Sequence, residues 1–422
     1  MIRSRSIPTN VSRKVHPRIR WHRRALAVAL MMCGALWSAG CGRNEPLAPD
    51  LKSDVAPMRA APSEFRDPSP GEQLHFTGSL GPGALYTVDK PANWNGGLVV
   101  WTHGYTLPTD PVHVPDLGPL LPFFLSQGYA VAVSSFSKNG YAVAEGVRQT
   151  HQLGQVFSSL VARPERTFIV GVSLGGIIGL NLIEKYDRHY DGALLVSGIV
   201  GGSDDEVRYI GDVWVLFDQF FPGNLPPLFG PRPGPFPQGQ LFAIITNPAN
   251  AQTFQLFLAF ARARGLSFVS GPEAVEATLT ALGFGWMGAH DLFDRTHGHV
   301  LYDNSDTVYP APGVPQAIVD AVNAQVDRLK STPDARAFLN RSYEPDGDLH
   351  VPVITLHDQR DPLVPFFHEQ MLNGTVTAAG KSDLLRQYNQ ATFGHVSATL
   401  RGQIPARFLE LVSWANSLTP AP

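Results

Sequence analysis

Cysteine is nearly missing from this chain: there are two in 422 residues, Cys33 and Cys41. Both lie in the first forty-one residues, so the remainder forms no internal disulfide and must draw its stability from a packed core. Long apolar runs are missing as well. The longest candidate, "ALAVALMMCGALW" over residues 25–37, falls short of the roughly 20 residues that span a bilayer. A basic excess is confined to one end. Residues 1–24 carry eight Lys/Arg and no acid; of 33 basic residues this leaves 25 against 36 acidic ones, a net charge of −11 beyond that segment. Nucleic acid is therefore excluded as a partner, because gripping a phosphate backbone needs a basic face. Charged residues are only 16% and apolar ones 44%, a balance that builds a globular core and does not suit a disordered chain.

What is present begins with an export pattern: the basic stretch, the short apolar run, then the small residues "SAGC" ending at Cys41. That ending resembles a bacterial lipoprotein signal, in which the cysteine becomes the lipidated first residue. Ser38 stands where that pattern has an aliphatic residue. The expectation is an exported protein of the cell envelope, an outer-membrane-anchored lipoprotein or a secreted protein, touching a membrane only through a lipid on Cys41. Residues 42–71 are rich in proline and charge without periodicity and read as a tether.

From Leu85 onward short apolar runs alternate with helical patterns. "GLVVWTHG" (97–104), "YAVAVSSFS" (129–137), "RTFIVGVS" (166–173), "DGALLVSG" (191–198) and "VPVITLHD" (351–358) have the continuous hydrophobicity of strands buried on both faces. In 143–161, apolar residues recur mostly at three- and four-residue steps, which gathers them on one helix face. Strand and helix in alternation predict a parallel α/β sheet with helices on both faces. The alternation stops after Gly198 and resumes near His350. Residues 201–349 are too long for a connection and predict an inserted cap between core segments 72–200 and 350–422.

One polar residue interrupts the run "IVGVSLGGIIG" (169–179), namely Ser173. Gly171-Val172-Ser173-Leu174-Gly175 is a G-x-S-x-G motif, placed after a predicted strand and before a helix expected over 174 to about 186. A turn that tight strains the serine's backbone and brings strand and helix so close that flanking side chains do not fit. The helix N-terminus then aims N–H groups at developing negative charge. A serine hydroxyl is a poor nucleophile until a base takes its proton, and that base needs an orienting carboxylate. C-terminal to Ser173, "VPVITLHDQRDPLVP" (351–365) offers Asp361, with Asp358 as a competitor nearer the strand. "QATFGHVSATL" (390–400) offers His395, after an apparent strand at 384–389 and before a final helix.

On these segments, with "PANWNGGLVVWTHGY" (91–105), the chain resembles the serine α/β-hydrolases, and among them secreted bacterial esterase-like members. The resemblance covers about Leu85 to Gly201 and His350 to Trp414; the cap matches nothing that names a substrate. It implies a Ser173–His395–Asp361 triad, since "DPLVP" is similar to the acid loop of that superfamily. It also implies an oxyanion hole made by the Leu174 N–H and one from Gly104 or Tyr105, with His103 structural. The implied activity is hydrolysis of a small-molecule or polymeric carboxylic ester through an acyl-enzyme, without metal or organic cofactor. A prolyl or aminopeptidase-like serine peptidase on the same scaffold is the alternative.

The remaining polar and aromatic features have plainer readings. His297 and His299 beside Asp303 lack a third clear metal ligand and read as a polar cap loop. Phe217, Phe220, Phe221, Phe229, Phe236 and Phe242, with Trp214, are expected to form the cap's own core, with some lining an apolar acyl or aromatic pocket. The acidic run Asp204-Asp205-Glu206 could meet a substrate amine, as a peptidase requires, but reads first as a solvated loop.

Overall fold

The computed structural model describes residues 71–230, 234–342 and 344–418, leaving aside the side chains of 341 and 342. The export pattern, Cys41 and all but the last residue of the tether lie outside these residues.

Eight strands form one sheet: β1 (Leu74–Ser79), β2 (Leu85–Lys90), β3 (Gly97–Thr102), β4 (Ala130–Ser134), β5 (Arg166–Val172), β6 (Gly192–Val196), β7 (Val353–Arg360) and β8 (Leu385–Phe393). Their order across the sheet is β1-β2-β4-β3-β5-β6-β7-β8. From β4 to β8 the pairing is parallel, while β1 and β2 add an antiparallel edge. The five apolar runs correspond to β3 to β7. The antiparallel edge was not legible in them, because β1 (LHFTGS) and β2 (LYTVDK) are half-exposed and lack the continuous hydrophobicity of the inner strands.

Side chains alternate across this sheet with the period of two that a pleat imposes. Leu98, Val100, Ala130 and Ala132 point to one face, where Leu153 and Phe157 of α2 (Val143–Leu160) cover them. Further along the same face, Ile177 and Ile178 of α3 (Leu174–Lys185) pack with Ile169, Ala193 and Leu195. Val99, Trp101, Val131, Val133, Phe168, Val170, Leu194 and Val196 point to the other face. There they meet Phe124 of α1 (Leu120–Ser126) and Phe408 of α11 (Ala398–Leu418). Phe408 is fully buried, with Phe124, Tyr129 and Phe168 at ring separations of 4.9, 5.1 and 5.9 Å. Its truncation to alanine would remove about 3–5 kcal/mol.

Between β6 and β7 the chain runs through α4 (Ser203–Phe220), α5 (Gln238–Ile245), α6 (Ala251–Arg262), α7 (Gly271–Arg295), α8 (Gln316–Gln325) and α9 (Pro333–Ser342). Phe217, Phe221, Phe254, Phe257 and Phe260 are buried among these helices, whereas Phe242 is half-exposed and contributes to neither core nor pocket. The acidic run is not a solvated loop. It forms the first turn of α4, where Asp204 and Asp205 complement the helix N-terminus and Glu206 is buried. A polar node holds the insertion together: Asp212 of α4 accepts Tyr302 Oη at 2.6 Å, Tyr309 Oη at 2.9 Å and Arg264 Nε at 2.6 Å. His297 lies in the turn after α7, and the His299 ring lies 3.7 Å from the Asp334 carboxylate.

Several ties fasten these inserted helices to the rest of the chain, two of them short hydrogen bonds. Asp291 of α7 accepts the Tyr141 N–H at 2.6 Å, and Tyr209 of α4 donates to the Pro362 carbonyl at 2.8 Å.

Candidate active site

The C-terminal ends of parallel strands share one edge of a sheet, so the loops after β3, β5, β7 and β8 converge there. Gly104, Tyr105, Ser173, Asp361 and His395 sit in those loops, while Asp358 lies just inside the end of β7 and Leu174 is the first residue of α3.

Ser173 is the single residue between β5 and α3, with φ 58° and ψ −123°. A non-glycine residue in that region costs about 1–3 kcal/mol and persists only where its surroundings enforce it. Here the Ser173 N–H donates to Val196 O at 2.9 Å, and its carbonyl accepts from Gly176 at 2.8 Å. The flanking glycines are required by proximity. A Cβ on Gly171 would overlap the Gly175 carbonyl and stand 2.6 Å from Thr102 Oγ1; one on Gly175 would run into the Thr102 carbonyl and stand 2.9 Å from that of His103. Thr102 Oγ1 also donates to the Gly175 carbonyl at 2.7 Å, tying the end of β3 to the turn.

Gly104, after β3, faces the serine directly: a Cβ there would lie 3.2 Å from Ser173 Cβ and 3.7 Å from its Oγ. Leu174 opens α3 and is buried. The Tyr105 side chain turns to the cap, with its ring 5.5 Å from Phe284 and its hydroxyl 3.5 Å from Asp291 Oδ2. His103 is buried and stacked on Phe136 at 3.9 Å, with Nδ1 2.7 Å from the Gly104 carbonyl. Burial pushes its pKa down to about 4, so it is a neutral part of the loop's scaffold.

Asp361 and Asp358 divide two tasks. Asp361, fully buried after β7, accepts Leu363 N–H (2.8 Å) and Val364 N–H (3.1 Å) on Oδ1. Its Oδ2 lies 2.6 Å from Nδ1 of His395. With a carboxylate as partner, Nδ1 carries the proton and Nε2 is left as the basic nitrogen. Asp358 instead accepts the Ser397 N–H (2.8 Å), the Ser397 hydroxyl (2.7 Å) and the Thr392 hydroxyl, bracing the loop that carries His395. Gly394, just before His395, takes φ 113°, and its N–H donates to the Arg360 carbonyl at 3.1 Å.

Sequence reasoning passed over three buried groups near Asp361, namely His357, Glu369 and His368, and read a fourth, Glu206, as part of a solvated run. One signal was available. His357 is a lone imidazole inside the apolar run "VPVITLHD", where residues 353–358 of the strand are all buried. A polar group in such a run requires partners, and partners imply a network.

No model of a known protein family matches the chain, and no curated protein does. Among solved structures it is similar to an esterase from Aspergillus oryzae, at 14% identity and TM-score 0.48, over 77% of this chain and 73% of that one. Feruloyl esterase B from Aspergillus oryzae also has 14% identity and TM-score 0.48, over 82% of this chain and 80% of that one. An acylaminoacyl peptidase from Pyrococcus horikoshii has 12% identity and TM-score 0.43, over 81% of this chain but 40% of that one. The strand order of its own sheet and the strained strand-to-helix turn at Ser173 give this chain the α/β-hydrolase fold.

Proposed function

We propose that the protein is a serine hydrolase that cleaves carboxylic esters through an acyl-enzyme. In this reading Ser173 Oγ attacks the carbonyl carbon while His395 Nε2 takes its proton. Asp361 holds the imidazole in the tautomer that leaves Nε2 free to accept, and stabilises the imidazolium once formed. The backbone N–H of Leu174 and one from Gly104 or Tyr105 receive the oxyanion. One such donor is worth about 3 kcal/mol of transition-state stabilisation. His395 then protonates the leaving alkoxide, and water resolves the acyl-enzyme by the same base.

The observation that carries the reading is the 2.6 Å contact between Asp361 and His395, on the same sheet edge as a serine held at φ 58°. Strain at a nucleophile, an oriented base and a glycine set against the serine are three separate features, and each fits acyl transfer.

A peptidase on this scaffold would need an anchor for a peptide amine. The acids offered for that role are largely engaged: Asp204 pairs with Arg208 at 2.9 Å and Arg336 at 3.0 Å, and Glu206 bonds His368 at 3.0 Å. The full-length chain is accordingly expected to turn over nitrophenyl esters and to leave amino-acid anilides untouched. Turnover of anilides without turnover of esters would reverse that assignment.

A further inference from the structure

Beside Asp361 lies a polar cluster that the reaction does not use directly. His357 of β7 is fully buried at its centre. Its Nε2 lies 2.8 Å from the Val364 carbonyl oxygen, which only accepts, so Nε2 carries a proton. Its Nδ1 lies 3.2 Å from Oε1 of Glu369, on α10 (Phe367–Ala378). The other oxygen of Glu369 already receives the Thr355 hydroxyl at 2.5 Å and the Gln387 amide at 2.6 Å, the setting of an ionised carboxylate. Nδ1 therefore also faces an acceptor. Nε2 is also only 3.8 Å from Asp361 Oδ2. Val364 joins the two sites, since its N–H donates to Asp361 and its carbonyl receives His357.

The surrounding groups leave His357 as the cation of this cluster. From α10, His368 accepts the Gly201 N–H on Nδ1 at 3.0 Å, so its Nε2 holds the proton and bonds Glu206 at 3.0 Å. His368 is thereby neutral, and burial pushes its pKa down to about 3. From α4, Glu206 is driven well above the carboxylate range by burial and by Asp361, Asp205 is raised by burial, and Tyr209 is un-ionised and bonded to Pro362. From β7, Asp358 faces Ser397 and Thr392. Among the described residues, two buried carboxylates, Asp361 and Glu369, face no lysine or arginine, and a buried anion without a counter-charge is costly.

We propose that His357 is a positioning residue: a buried imidazolium, balanced by Glu369, that fixes the Asp361 loop through Val364 and moderates the field Asp361 exerts on His395. The proposal rests on the triad reading above. Burial alone would lower the pKa of His357, but the hydrogen bond and charge of Glu369, with Asp361, override it and raise the value to about 9. The consequence is a base that is not over-stabilised as imidazolium. With Asp361 unopposed, His395 would hold its proton to higher pH and be less available to accept one from Ser173.

The test reads histidine rings and does not need turnover, so it stands apart from failure of the esterase reading. In the full-length chain labelled with ¹⁵N-histidine, NMR at pH 7.5 is expected to find both His357 ring nitrogens protonated. His357→Gln is expected to move the titration midpoint of the His395 ring upward by about half a pH unit, about threefold in its protonation equilibrium. Glu369→Gln, which leaves His357 in place but takes away its counter-ion, is expected to lower the midpoint at which the His357 ring loses its second proton, and keeps the proposal open to refutation if His357→Gln does not fold. A His357 ring with one bare nitrogen in the unsubstituted chain overturns the proposal, as does a His357 midpoint unmoved by Glu369→Gln. So does a His395 midpoint that stays put or falls in His357→Gln, since a merely structural role for His357 would leave it unmoved.

Discussion

Asp358 and Asp361 stand three residues apart at the end of one strand and grip different parts of the same loop: Asp361 the His395 ring, Asp358 the Ser397 backbone and hydroxyl. The sequence left both open as the triad acid. Geometry separates them, because only one meets the imidazole.

Substitution tests that division. Asp361→Asn is expected to lower kcat by three to four orders of magnitude with the fold intact, since an amide favours the wrong imidazole tautomer. Asp358→Asn keeps an acceptor for the Ser397 N–H and is expected to cost roughly 1–2 kcal/mol of stability and less than tenfold in kcat. Steady-state kinetics beside a denaturant titration distinguishes the two. Equal losses of kcat in both variants would contradict the assignment.

The inserted helices offer a stability test at residues the proposed reaction does not use. Asp212 is fully buried and Arg264 is the cation that balances it, with Tyr302 and Tyr309 completing the shell. Arg264→Leu leaves a buried carboxylate without its counter-charge and is expected to destabilise by about 3 kcal/mol. Adding Asp212→Asn to that variant is expected to recover part of the loss. A change below roughly 1 kcal/mol in chemical denaturation would show that water, not Arg264, compensates Asp212.

Stability is expected to fall as pH rises from 6.5 to 9. His357 keeps its proton to about 9 when folded and loses it at 6.5 when unfolded, so its contribution, up to about 1.4 kcal/mol per pH unit, is lost as pH rises between them. Glu184, raised by burial and by Asp346 to about 8 from 4.5, and Glu344, raised by burial to about 7 from 4.5, act in the same direction. Below 6.5, His103 and His368, with folded values of about 4 and about 3, act the other way and are offset by those two carboxyls, so no steep loss is expected between pH 4.5 and 6.5. Melting temperatures across pH 5 to 9.5 check this; a maximum above pH 8 would contradict it.

What the sequence made legible follows from the strength of each physical signal. Strands buried on both faces announce themselves as apolar runs, so β3 to β7 could be placed from "GLVVWT" and its counterparts. The turn at Ser173 could be anticipated because its steric demands fall on glycines adjacent in sequence. The edge strands β1 and β2 could not, since half-exposed residues carry mixed chemistry. Nor could the network of His357, Glu369, His368 and Glu206: its members come from β7, α10 and α4, and only the folded chain brings them together. The acidic run 204–206 was misread for a related reason. Three carboxylates look solvated until Gly202 starts a helix that turns Glu206 inward against His368.

The most direct measurement is labelling of the folded full-length chain with a fluorophosphonate, with the modified residue mapped by mass spectrometry. The expected result is one label, on Ser173, absent from Ser173→Ala and from His395→Ala. A well-folded chain that takes no label, or takes it on another serine, would contradict the claim that Ser173 is an activated nucleophile.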